Sequence, residues 1–187
     1  MLLILRHGET EWNVAGRMQG GLDSPLTARG RQQARDQGAI LRAAGLGQLP
    51  LLVSPLGRAM QTARLALPGV APQPDPRLAE VAMGHWQGLT RDEIAANWPE
   101  ALDDPHPFRW KFRAPGGESF EQLADRLGAF AAERPGPAIV VTHGVTSQVL
   151  RGILLGMDLE SMAGLEDRQG CVWHVGEGQH MALDCEA

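Results

Sequence analysis

The chain is poor in cysteine, has no long apolar run and carries no excess of positive charge. Each shortage excludes a class of protein. Its 187 residues include two cysteines, Cys171 and Cys185, too few for a disulfide framework and at a spacing that fits no zinc signature. Both are expected as buried or partly exposed thiols. No apolar stretch approaches the ~18 residues of a membrane span, and the N-terminus lacks the basic segment, apolar core and cleavage site of a secretory leader. A cytoplasmic location away from membranes is the expectation. Lys and Arg number 17 against 22 Asp and Glu, a net charge of −5, which argues against broad neutralisation of nucleic-acid phosphates. A polyanionic ligand must then be held by a local cluster of cations. The chain also shows no internal repeat and no low-complexity segment.

What is present fits one domain over residues 1–187, with 43% hydrophobic residues to fill a core. Apolar runs at 1–6, 51–54 and 138–143 read as buried strands. A helix is expected from Ala28 to Gly45 with Thr27 as its cap, and another from Pro55 to Ala66. Residues 90–98 read as a capped helix, and 144–155 as the helix after the third strand. Within 119–133, Phe120, Leu123, Ala124, Leu127, Phe130 and Ala131 recur at helical spacing behind Ser119. Residues 69–80 are loop-rich with a short strand near Gln73, and 171–175 and 180–184 read as two closing strands. Strands alternating with helices indicate an α/β fold with a mainly parallel sheet, in which ligands bind beyond the carboxyl ends of the strands.

Those strand ends carry unusual residues. The first passes from Leu5 into Arg6, His7 and Gly8; the third ends in His143 and Gly144; Arg58 lies in the first helical turn after the second. Arginine forks match tetrahedral phosphate oxygens and stay charged, and a helix N-terminus adds N–H groups. A histidine among them, unprotonated at one nitrogen, is a nucleophile aimed at phosphorus. Metal ligation by the two histidines is rejected, because adjacent arginines would repel a dication.

In this setting "LRHGETEWN", "SPLGRAMQTA", "LAEVAMGHWQGLT", "PGGESFEQL" and "VVTHG" together resemble, in order, the motifs of the histidine phosphatase superfamily, the phosphoglycerate mutase-like family. The resemblance implies a three-layer α/β/α fold. It implies that His7 is phosphorylated, that Arg6, Arg58 and His143 complete the phosphate pocket with His143 protonated or donating one N–H, and that Glu80 is the proton donor. Asn13, Gln19, Gly20 and Gly144 fall at positions that contact phosphate or line the pocket. Glu80 enters through the resemblance alone; read on its own it is a solvated loop carboxylate. No metal and no cofactor are implied.

The short stretch between Glu80 and Gly117, the early end of the chain and "QGGLDSPLT" resemble the phosphatase branch more than the mutase branch. The expectation is therefore a phosphatase acting on a small phosphate monoester. A cofactor-dependent phosphoglycerate mutase is the alternative, and a non-catalytic phospho-ligand binding module the third reading. Gln87, Val145 and Gln169 depart from the family's usual residues and bear on substrate detail. Residues 98–113 are expected to form a lid, with Trp98, Phe108, Trp110 and Phe112 packing; Arg109, Lys111 and Arg113 are expected in solvent, with the alternative that one reaches a second anionic group on the substrate. His85, His106, His174 and His180 are expected to play no catalytic part. A small phosphorylated molecule is the expected partner, and a homodimer the assembly left open.

Overall fold

In the computed structural model, residues 1–104, 106–133, 136–176 and 178–184 are described; Cys185 lies outside them. Leu2, Leu3, Ile4 and Leu5 are all 0% exposed, which requires cover on both faces of their strand. Alternation divides the cover. Leu2 and Ile4 join one core cluster with Ala138 and Val140, whereas Leu3 and Leu5 join a second with Ile139 and Val141. The first cluster lies under Leu123, Leu127, Phe130, Val149 and Leu150, the second under Ile40, Leu41, Ala59 and Ala63.

The strands are β1 (Leu2–Arg6), β2 (Leu51–Val53), β3 (Gln73–Pro74), β4 (Ala138–Thr142), β5 (Val172–Gly176) and β6 (Gln179–Leu183). They form one six-stranded sheet in the order β3-β2-β4-β1-β5-β6. β1, β2, β3 and β4 pair in parallel, and β5 runs antiparallel to both its neighbours. The helices are α1 (Glu11–Val14), α2 (Ala28–Ala43), α3 (Gly57–Ala66), α4 (Arg91–Asn97), α5 (Phe120–Glu133), α6 (Gly144–Leu154) and α7 (Leu159–Met162). With α2 and α3 on one face and α5 and α6 on the other, the fold is the three-layer α/β/α expected.

Caps set most of the boundaries. Thr27 accepts from the Gly30 N–H at the start of α2, and Thr90 forms a reciprocal box with Glu93 at the start of α4. Ser119 and Gln122 exchange hydrogen bonds ahead of α5. α3 begins at Gly57 rather than Pro55, because its first N–H groups are capped from elsewhere in the chain: Asp23 accepts from Gly57 N at 2.7 Å and Arg58 N at 3.1 Å.

Register brings three strand ends level. Arg6 lies beside Thr142 and Val53 beside Val141. His7, Ser54 and His143, each one residue further on, therefore share the carboxyl edge of the sheet. No described helix is long and apolar enough to cross a membrane.

Candidate active site

Gly8 answers why an apolar strand ends in a glycine. A Cβ there would sit 2.1 Å from the Gly30 carbonyl oxygen, and one on Gly30 would sit 2.0 Å from that of Glu9. Two glycines let the backbone after β1 pass directly over the first turn of α2. The turn fixes the ring of His7. Its Nδ1 lies 2.7 Å from the Gly8 carbonyl, which can only accept, so Nδ1 carries the proton. Nε2 is left with its lone pair, into which Arg58 Nε donates at 3.3 Å. Burial above all, then the charges of Arg6 and Arg58, hold the His7 pKa well below 6.5. The result is a neutral imidazole with Nε2 bare beside a guanidinium.

Arg58 is buried and held at several points. Its amino groups donate to Leu22 O at 2.6 Å, Gly20 O at 2.9 Å and Asp23 Oδ1 at 3.0 Å. Arg6 pairs with Asp167 Oδ2 at 2.8 Å, while its buried Nε has no partner among the described residues. His143 is fully buried with its ring centroid 5.2 Å from that of His7. Its pKa too is held well below 6.5, chiefly by burial and then by Arg58. Of the two forms expected for His143, the protonated one is therefore disfavoured in the unliganded protein; a neutral ring donating one N–H remains.

These groups adjoin a cleft of about 290 Å³ lined by Arg6, His7, Asn13, Gln19, Gly20, Arg58, Glu80 and Gly144 among others. His143 is not among the residues that line the cleft; its ring packs beside that of His7 with Nδ1 unpartnered among the described residues. Glu80 accepts from Thr146 Oγ1 at 2.9 Å and from the N–H groups of Val81, Thr146 and Val145 at 3.0, 3.1 and 3.3 Å. The amino end of α6 thus aims its carboxylate at the cleft. A Cβ on Gly144 would meet Asp167 Oδ2 at 2.6 Å and push that carboxylate, the partner of Arg6, aside. Asn13 Oδ1 accepts from Thr10 and from Gln169, and Gln169 also donates to the His7 carbonyl at 2.9 Å. Gly20 has φ +52°, and Gln87 pins its loop by accepting from Gly21 N at 2.7 Å.

The segment 98–113 divides its three cations between the surface and the cleft. Phe108 and Trp110 are buried, with Trp98 and Phe112 packed against the same core, and Arg109 pairs with Glu160 and Arg113 with Asp104. Lys111, expected either in solvent or as the cation that reaches a second anionic group, lines the cleft. Burial pulls its pKa down, countered by Asp167 and Glu80, and no carboxylate lies within salt-bridge distance of it among the described residues. The turn Arg109–Phe112 directs it inward while Trp110 anchors in the core. His106 accepts from the N–H groups of Phe108 and Arg109 and lies 2.8 Å from Glu160, bracing this turn. Asp23, Ser54 and Asp167 were not marked by sequence reasoning. No group of three or more His, Cys, Asp or Glu among the described residues is arranged to hold a metal.

Fold and cleft together define an open α/β protein with a histidine and two arginines gathered at the carboxyl edge of its sheet. Residues 2–181 match the histidine phosphatase superfamily (branch 1), and the chain belongs to that superfamily. It is 37% identical over 196 residues to the glucosyl-3-phosphoglycerate phosphatase of Mycolicibacterium vanbaalenii, covering 92% of this chain and 81% of that protein. It is 38% identical over 169 residues to the "Probable phosphoglycerate mutase GpmB" of Enterobacter sp. (strain 638), covering 82% and 74%. The crystal structure of the alpha-ribazole phosphatase from Shigella flexneri superposes with a TM-score of 0.79 at 29% identity, covering 98% of this chain and 95% of that one.

Proposed function

We propose that the chain is a phosphatase that hydrolyses small phosphate monoesters through a phosphohistidine on His7, with Glu80 as proton donor. Most weight falls on the resting state of His7. Its Nδ1–H donates to the Gly8 carbonyl and, among the described residues, its Nε2 accepts from Arg58 alone, so the nucleophilic nitrogen is unprotonated in a ring that lines the cleft. When a phosphoryl group enters, Arg58 can turn its donor from Nε2 to a phosphoryl oxygen and free the lone pair for attack.

In the first step Nε2 forms a bond to phosphorus as the ester oxygen leaves, and protonated Glu80 gives that oxygen its proton. In the second, water attacks phosphorus, Glu80 takes the proton and Nε2 is released. The transition state is loose, with charge on the equatorial oxygens, and Arg6 and Arg58 face that charge. They supply the positive charge, so no metal is needed in this scheme. Acid–base help of this kind contributes roughly 10²–10⁴-fold. A cleft of about 290 Å³ suits a small ester, since sites for drug-sized molecules span about 300–1,000 Å³. Its apolar lining by Trp12, Met18, Met83 and Trp110 is left for the alcohol part.

Phosphatases of two different substrates among the similar proteins support hydrolysis. The identity to a protein named as a probable phosphoglycerate mutase keeps isomerisation as the second reading, in which a bound product rather than water takes the phosphoryl group. Product analysis separates them. With 3-phosphoglycerate and catalytic 2,3-bisphosphoglycerate the proposal expects little 2-phosphoglycerate, together with release of phosphate from an aryl phosphate. Rapid isomerisation with negligible phosphate release would reverse the assignment.

A further inference from the structure

Ser54 follows β2 directly, is fully buried and lies 2.7 Å from His143 Nε2 through its hydroxyl. That hydroxyl has one hydrogen to give and can accept twice. The Leu56 N–H donates to it at 3.3 Å, so one acceptor position is filled. A backbone N–H cannot receive the hydroxyl hydrogen, and the remaining neighbour is His143 Nε2. The hydrogen is used only if it points at Nε2. The imidazole proton must then be on Nδ1, because Nε2 is accepting. Nδ1 is itself buried and without a partner among the described residues. A buried N–H with no acceptor is costly to leave unmade, and this one belongs to a ring 5.2 Å from that of His7.

We propose that Ser54 is a positioning residue: it locks His143 as the Nδ1–H tautomer, so that a neutral histidine presents a fixed donor to an oxygen of the phosphoryl group attacked by His7. The chain Leu56 N–H to Ser54 Oγ–H to His143 Nε2 links the loop before α3 with the end of β4. The segment from Ser54 to Arg58, the loop after β2 and the first turn of α3, thereby carries both the guanidinium that faces the phosphoryl group and the hydroxyl that orients His143. The assignment rests on the phosphatase reading for the identity of the acceptor, but not for the tautomer.

Nitrogen-15 NMR of the histidine-labelled protein reads the tautomer directly, and inorganic phosphate serves as probe of the donor. In the wild type His143 should show a protonated Nδ1 and an unprotonated, accepting Nε2. Ser54→Ala should shift His143 toward a mixture of tautomers, weaken phosphate binding about tenfold and lower kcat/KM on nitrophenyl phosphate by a similar factor; Ser54→Thr should restore all three. A wild-type His143 protonated on Nε2 overturns the proposal, and that measurement needs no variant to fold. So does a Ser54→Ala protein whose tautomer shifts while phosphate affinity stays unchanged. A chain that binds phosphate with the expected tautomer but hydrolyses no ester would instead sink the phosphatase reading and leave this one standing.

Discussion

The nucleophile role proposed for His7 rests on three neighbours that agree on the same protonation state: a carbonyl takes its one proton, a guanidinium points at its other nitrogen, and burial disfavours a second proton. Glu80 is tested by its leaving group. An alkyl alkoxide needs a proton as it departs and a nitrophenolate does not, so Glu80→Gln should lose at least about 10²-fold more kcat/KM on alkyl phosphates than on nitrophenyl phosphate. Equal losses would assign Glu80 to binding or folding. Lys111 faces the same half of the cleft, near Glu80 and Asp167. Lys111→Met should therefore alter kcat/KM among substrates with different alcohol parts, by about tenfold between an alcohol bearing a carboxylate and a neutral one, while nitrophenyl phosphate hydrolysis changes little; a uniform loss across all three would place Lys111 on the transferred phosphoryl group. Arg6, His7, Arg58 and His143 were legible because each sits at a strand end that the apolar runs mark. Glu80 was not, because the N–H groups that aim it belong to Val145 and Thr146, far along the chain. Asp23, Ser54 and Asp167 escaped for the same reason: each acts through a partner brought near only by folding.

At the scale of elements, the loop carrying Leu22 and Asp23 does for α3 what an N-cap residue does locally, and holds Arg58 as well. Asp23→Ala should cost about 1 kcal/mol of stability, the usual worth of a cap, and lower kcat/KM about tenfold as Arg58 loosens. Urea titration and steady-state kinetics measure both; a stability loss with unchanged kinetics would show that the carbonyls of Gly20 and Leu22 suffice to orient Arg58. The long elements were readable because burial imposes a period on them: four successive buried residues in β1, and helical spacing in α5. The four-residue helices α1 and α7 were not, since one turn is too short to show a period. The two-residue shift at the start of α3 likewise has its cause in Asp23, outside the helix.

The whole molecule carries two fully buried neutral histidines, and this makes its stability depend on pH. His7 and His143 have folded pKa values held well below 6.5 by burial, whereas in the unfolded chain each titrates near 6.5. Below that pH the unfolded chain binds protons the folded one does not. Stability is therefore full above about pH 6.5 and falls as the pH drops toward the folded values, by up to about 1.4 kcal/mol per pH unit for each histidine. Urea midpoints between pH 7.5 and 5.0 in phosphate-free buffer should show this slope, and His143→Asn should remove one histidine's share; midpoints flat across that range would mean that the rings take up protons as readily in the fold as in the unfolded chain. The same two neutral rings underlie the proposed chemistry, and its central claim is that one of them becomes covalently phosphorylated. The most direct test is rapid denaturation of the enzyme during turnover of a phosphorus-labelled ester, without acid, followed by peptide mapping. The account predicts acid-labile, base-stable phosphate on His7, absent in His7→Ala; label on a serine, an aspartate or any other histidine would contradict it.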